Sequence, residues 1–398
     1  MTAKDITVWS GVILLAACQG GGTMEDATAS GQSQVSLTPI ERLGKLIFFD
    51  KNLSDPPGQS CGSCHGIEVG FSGPISEMNA RGATYEGAVQ GRFGNRKPPS
   101  AAYASFSPGL HIEIEEEEGE SEETLFVGGQ FWDGRADDLA EQAKGPFLNP
   151  LEQNGPNARY ICLQVQDSEY ADLFEEVFGP GSINVSDQVD RTYQYIAEAI
   201  AAYEASGEVN PFTSKYDYYL AGRAELTPQE AFGLELFEDE DKGNCAACHP
   251  SRPAPDGTPP LFTDFTYDNL GIPRNPENRF YKMPAEFNPA GENWVDLGLG
   301  AIVGMAGEIG KVKVPTLRNV DMRPDSDFVK AYGHNGFFKS LEDIVRFYNT
   351  RDTEDWPPPE VPVNVNTEEL GDLGLTAEEE AAIVAFMKTL TDGYIPPD

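Results

Sequence analysis

Two short motifs constrain this chain more than any other feature: Cys61-Gly62-Ser63-Cys64-His65 and Cys245-Ala246-Ala247-Cys248-His249 both read C-x-x-C-H. Two thiols at this spacing can bond the vinyl groups of a porphyrin while the next imidazole faces its iron, which makes the pattern the attachment signature of c-type haem. One copy could be a redox dithiol. Two copies in a chain with only four His and six Cys speak against a zinc site or a disulfide framework. Two covalently bound haem c groups are therefore expected, with Cys61, Cys64, Cys245 and Cys248 as attachment points and His65 and His249 as iron ligands. Cys162, set between Ile161 and Leu163, reads as an inert buried thiol.

The flanking sequence repeats as well. Thr38-Pro39-Ile40-Glu41, with Gly44 and Phe48, precedes the first motif; Thr227-Pro228-Gln229-Glu230, with Gly233 and Phe237, precedes the second. Thr as N-cap, Pro at the first helical position and Glu at the third form a capping-box start, so a short amphipathic helix is expected before each haem. Helical periodicity returns over 188–205 and, behind Thr376, over 377–390, as closing helices for two haem cores. The stretch 206–226, with Tyr216, Tyr218 and Tyr219, reads as a connector. The expected fold class is mainly α: two cytochrome c-like helical haem domains, 37–220 and 221–398. Long loops follow from 41 Gly and 30 Pro, including Pro-rich surface segments at 250–260 and 357–362.

Val8 to Ala17 is an apolar run too short to span a bilayer, followed by Cys18. Leu15-Ala16-Ala17-Cys18 resembles the bacterial lipobox, so 1–18 reads as a lipoprotein-type signal and 19–36 as a flexible tether. An ordinary signal peptide cut nearby is the alternative. The expected location is outside the inner membrane, in the periplasm or at the outer membrane or cell surface, with a lipid anchor at Cys18. The 28 Lys and Arg against 65 Asp and Glu leave a net charge of −37, which excludes a general nucleic-acid binder and favours basic partners. Residues 113–123 contain eight Glu and are expected to form a solvated loop; a calcium or cationic-partner site is the sharper reading.

The segment between the motifs carries more specific chemistry. Gly129-Gln130-Phe131-Trp132-Asp133-Gly134-Arg135-Ala136 is followed by Glu141-Gln142-Ala143, Gly145-Pro146, Asn149-Pro150 and Glu152; after the second motif come Val314 to Val320, VPTLRNV, and Tyr332-Gly333-His334-Asn335-Gly336. In this order, from about Leu37 to Leu390, they resemble the bacterial di-haem cytochrome c peroxidase and MauG family.

That resemblance implies a peroxidatic N-terminal haem and an electron-transfer C-terminal one. Glu152 matches the catalytic Glu, Gln142 the distal-pocket Gln, Pro146 the pocket Pro, and Trp132 the inter-haem Trp. The residue types suit the chemistry: a carboxylate can take a proton from one peroxide oxygen and return it to the other, and an amide can orient peroxide without competing for protons. Glu141 is read instead as a solvated helix residue, and Asp133 and Arg135 as structural or propionate partners.

Several positions depart from the family pattern. Typical peroxidases carry a His that ligates the first haem where this chain has Val89, so His65 is expected to face an open or water-occupied site; exposed His111 is the remaining alternative. Counting from His334, itself read as a structural or propionate contact, the second haem's sixth ligand falls on Tyr348, as in MauG. A core Tyr is the bland reading of that position, and Met283, Met305 and Met322 are rival ligands. Relatives bind calcium between domains through an Asn where Lys97 stands, so calcium is doubtful and the Lys97 ammonium is expected to fill its position.

The function these features imply is an exported di-haem peroxidase that reduces hydrogen peroxide with electrons from a small cytochrome or cupredoxin. The alternatives are a MauG-like enzyme oxidising Trp or Tyr of a partner protein, and a non-enzymatic electron-transfer cytochrome.

Overall fold

Both repeated Thr-Pro signatures open helices through reciprocal caps. Thr38 Oγ1 accepts from the Glu41 N–H while the Glu41 carboxylate accepts from the Thr38 N–H at 2.6 Å; Thr227 and Glu230 make the same exchange. Thr376 and Glu379 cap the last helix in the same way. Each box satisfies two otherwise orphaned N–H groups.

The computed structural model describes residues 36–115 and 123–397; the expected signal, the tether up to residue 35 and the centre of the glutamate run lie outside them. In chain order its helices are α1 (Pro39–Phe49), α2 (Ser76–Ala80), α3 (Leu139–Leu148), α4 (Ala158–Gln166), α5 (Ala171–Phe178) and α6 (Val189–Glu204). They continue as α7 (Lys215–Leu220), α8 (Pro228–Glu238), α9 (Gly300–Val303), α10 (Leu341–Thr350) and α11 (Ala377–Lys388). No described helix is long and apolar enough to cross a membrane.

Two crossings organise the packing. Where α1 meets α6, a Cβ on Gly44 would lie 1.8 Å from the Ala199 carbonyl oxygen; where α8 meets α11, one on Gly233 would lie 1.9 Å from that of Ala382. The glycines allow backbone to touch backbone. Around the first crossing Leu43, Ile47, Phe48, Ile196, Ile200 and Tyr203 form one buried cluster. Around the second, Leu236, Phe237, Phe262, Phe347, Ile383 and Phe386 form another. Cys162 is fully buried in the first.

The connector is more ordered than its composition suggests. Ser214 caps α7, and Tyr216 already belongs to the second cluster, ahead of the expected division at residue 220. Asp217 on this helix receives a bidentate pair from buried Arg318 at 2.8 and 3.0 Å.

The glutamate run is not simply a loop. Its ends pair as antiparallel strands β1 (His111–Glu115) and β2 (Glu123–Val127), from His111↔Val127 to Glu115↔Glu123. The alternation of Ile112 and Ile114 with polar neighbours, opposite the β-formers Thr124 to Val127, explains the strand. A second pair, β3 (Tyr267–Asp268) and β4 (Val312–Lys313), holds the Trp132 segment: the Lys313 N–H donates to the Trp132 carbonyl at 2.9 Å, and the Tyr267 hydroxyl to that of Gly128. Arg96 completes the fastening with bonds of 2.6 Å to Asp133 and 2.6 and 2.7 Å to Asp296.

Candidate functional site

The two C-x-x-C-H segments adopt the same local geometry. Each begins as a 3-10 turn, Cys61–Ser63 and Cys245–Ala247, and each histidine N–H donates to the first cysteine's carbonyl at 2.9 Å. The ring Nδ1 of His65 lies 3.0 Å from the Phe71 carbonyl oxygen, and that of His249 lies 2.7 Å from the Phe262 oxygen. A carbonyl opposite Nδ1 assigns the proton there and leaves the Nε2 lone pair for a metal. Burial pushes both imidazoles down, His249 to about 4, so both are neutral donors near pH 7. Two thiols beside a backbone-oriented neutral imidazole fit a covalently attached haem at each motif.

His249 opens on a cavity of about 2030 Å³, its solvent-open mouth included, lined also by Cys245, Cys248, Trp132, Tyr348 and Met387. Tyr348 projects from α10, and among the described residues its hydroxyl has no hydrogen-bond partner. Burial drives its pKa above the usual phenol range, so Tyr348 is a neutral phenol until something cationic meets it. Of the rival methionines, Met283 packs against Phe93 and Phe280, Met305 is 46% exposed, and neither these nor Met322 line this cavity. Met387 does, a residue missed in the sequence because it reads as one more apolar position of α11. His334 also lines the cavity, with its Nδ1 buried and unpartnered.

A second pocket gathers Glu152, Pro146, Asn149, Arg135, Glu141 and Phe131. The Asn149 amide donates to Glu152 Oε1 at 3.0 Å. Burial raises the Glu152 pKa above the usual carboxylate range, against the opposing Arg135 charge and the Asn149 bond. Burial, with the Glu152 carboxylate nearby as a lesser cause, pushes the Cys64 thiol up to about 12. Gln142, one turn before Pro146 on α3, is not among the residues lining this pocket; Glu141, expected to be a solvated helix residue, is exposed and also lines it. Arg135 lines this pocket and also pairs with Asp133 at 2.8 Å.

The loop over Glu152 carries Val89: the N–H of Ala88 donates to the Glu152 carbonyl at 2.6 Å. A valine there offers no ligand atom. His111 lies on exposed β1, bonded to the Gly109 carbonyl and the Glu113 carboxylate.

Phe131 lines both the Glu152 pocket and the His249 cavity, at a left-handed φ of 66° and with the Arg135 guanidinium 3.4 Å from its ring centre. No pattern in the sequence marks it as this shared wall. Trp132 follows it, 6% exposed, with its ring 6.5 Å from that of His334 in an edge-on arrangement. Lys97 covers the indole, its Nζ 5.8 Å from the ring centre and donating to the Pro98 carbonyl at 3.2 Å. Burial pulls the Lys97 pKa down to about 8.

The helical scaffold with two haem-attachment sites defines a class, and the chain belongs to the di-haem cytochrome c peroxidase family, whose model matches residues 39–225. It is 36% identical over 392 residues to the methylamine utilization protein MauG of Paracoccus denitrificans, covering 94% of this chain and 93% of that one. It is 29% identical to the cytochrome c551 peroxidase of Nitrosomonas europaea over 88% of this chain and 80% of the relative. Among solved structures, the di-haem peroxidase BthA of Burkholderia thailandensis superposes with a TM-score of 0.74 at 34% identity, covering 90% of this chain and 87% of that chain. The protein is accordingly a di-haem oxidoreductase with two c-type haems.

Proposed function

We propose that the protein reduces hydrogen peroxide beside His65 with electrons that enter at the His249 site and pass through Trp132. Haem bound at His65 supplies the peroxide-binding and reducing iron. The chain's own residues supply the proton chemistry and the route. The observation that carries this reading is Glu152: a carboxylate held by Asn149 in a pocket near Cys64, under a loop whose Val89 side chain has no atom that could ligate iron.

Glu152 takes a proton from one peroxide oxygen and returns it to the other, its raised pKa bringing it nearer the working pH. Arg135 keeps enough positive charge nearby for the carboxylate form to persist. Pro146 shapes the pocket, and Gln142 acts from α3 behind it. Two cytochrome c-like halves, 37–220 and 221–398, would each hold a haem, through His65 in the first and through His249 and Tyr348 in the second. Lys97 stands in for calcium at the junction. Residues 1–18 export the chain, Cys18 anchors it by lipid in the periplasm or at the cell surface, and the acidic charge selects a basic small cytochrome or cupredoxin as donor.

A second reading is favoured by one observation: the Tyr348 hydroxyl, without a hydrogen-bond partner among the described residues, lines the same cavity as His249 in a chain 36% identical to a MauG. A phenolate stabilises oxidised iron and suits an enzyme that draws electrons from Trp or Tyr of a partner protein.

Resting-state electron paramagnetic resonance with peroxide turnover tests the proposal. One high-spin and one low-spin ferric haem, and turnover supported by a reduced small cytochrome, are expected. Two low-spin haems overturn the open site at His65, and turnover supported only by a protein substrate transfers the function to the second reading.

A further inference from the structure

Lys330 is buried, and among the described residues no carboxylate lies within ion-pair distance of it. Burial pulls its pKa well below the usual lysine value, and its Nζ is met instead by three backbone carbonyls, of Val69 at 2.9 Å, Asn319 at 2.7 Å and Met322 at 3.0 Å, which favour the three-proton ammonium form. An unpaired buried charge is costly, so a socket that satisfies every donor and draws on distant segments is a built feature. Val69 belongs to the turn directly after the first haem motif; Asn319 closes the VPTLRN stretch and Met322 lies three residues beyond it.

That turn orients His65. It runs through a 3-10 segment, Ile67–Val69, into Gly70 and Phe71, both with left-handed φ, of 70° and 54°, and the Phe71 carbonyl is the partner of His65 Nδ1. Such backbone holds its shape only when surrounding contacts impose it. Here Ser72 Oγ donates to the Val69 carbonyl at 2.9 Å, Ser100 Oγ to that of Gly70 at 2.7 Å, and Lys330 ties the whole to the 319–322 segment.

We propose that Lys330 is a positioning residue for the first haem's histidine: its ammonium, seated in three carbonyls, fixes the turn whose Phe71 oxygen aligns His65. The inference rests on the reading of His65 as an axial ligand. A carbonyl bond to the distal ring nitrogen raises the donor strength of the imidazole and favours ferric iron. Loosening the socket weakens that bond and moves the first haem's midpoint potential upward.

Lys339 provides an internal control. Its ammonium also meets three carbonyls, of Asn79 at 2.7 Å, Gly336 at 2.6 Å and Arg81, away from the 67–71 turn. The holoproteins of Lys330→Met, Lys339→Met and Ser72→Ala are compared with wild type by spectroelectrochemical titration and ferric electron paramagnetic resonance. Lys330→Met should retain both haems, with an upward potential shift and an altered resonance at the first haem only. Ser72→Ala should shift it the same way by less, and Lys339→Met should melt earlier with both readouts unchanged.

An unchanged potential in Lys330→Met, or an equal shift in Lys339→Met, overturns the proposal. If Lys330→Met does not fold, an unchanged potential in Ser72→Ala overturns it instead. A wild-type protein lacking the high-spin signal sinks the open-site reading; a wild type that shows it beside an identical Lys330→Met sinks only the role of Lys330.

Discussion

The indole N–H of Trp132 donates to the backbone carbonyl of Lys97 at 2.9 Å, while the ammonium of the same lysine stands 5.8 Å from the ring centre. The carbonyl cannot take the indole proton, so an electron passing through Trp132 would leave its N–H in place. The lysine fixes the ring and, when charged, makes positive charge on it more costly. Trp132 is thereby better placed as a bridge than as a resting point for an oxidising equivalent.

Trp132→Phe should leave both haems attached and slow electron exchange between them by on the order of tenfold or more, about 1.4 kcal/mol in barrier. Stopped-flow reduction of the first haem after the second has been reduced measures this. An unchanged rate removes Trp132 from the route.

Glu152→Gln keeps the shape and the Asn149 contact but removes the proton acceptor. Peroxide turnover should fall by roughly 10²–10⁴-fold with haem content unchanged. Turnover close to wild type would assign the proton chemistry elsewhere.

The acid limb of the pH profile should report Glu152. A carboxyl whose pKa is raised works as a base above that pKa and is lost as pH falls through it, so activity declines on the acid side at a pH above the ordinary 4.5 of a Glu. Arg135→Gln removes the charge that opposes the shift and should move this limb to higher pH. A movement to lower pH in the steady-state profile contradicts the assignment.

Tyr348→Phe should convert the second haem from low-spin to high-spin, seen in the ferric absorption spectrum. If the low-spin signal persists and is lost instead in Met387→Leu, the sixth ligand is the methionine that shares the cavity.

Gly44→Ala and Gly233→Ala each force a methyl into a carbonyl, at 1.8 and 1.9 Å. Overpacking of this kind costs about 1–3 kcal/mol, and more where backbone cannot yield. Urea denaturation followed by circular dichroism should show both variants destabilised.

Much of this was legible because it is written in local pattern. The Thr-Pro-x-Glu caps, the helices over Val189–Glu204 and Ala377–Lys388 and the buried Cys162 all follow from spacing. What escaped depends on backbone atoms or on distant partners. The Lys330 socket uses carbonyls of Val69, Asn319 and Met322, and a carbonyl has no letter in the sequence. Phe131 became a shared wall through a left-handed backbone, Met387 through the face α11 turns inward, and Gln142 fell outside the Glu152 pocket although motif order put it beside Pro146.

Arg96 reaches Asp133 across 37 positions and Asp296 across 200. The side chain next to Trp132 is therefore moored only when remote stretches of the polypeptide have met. If Trp132 carries electrons between the haems, its alignment is thus a property of the whole folded chain and not of its own neighbourhood.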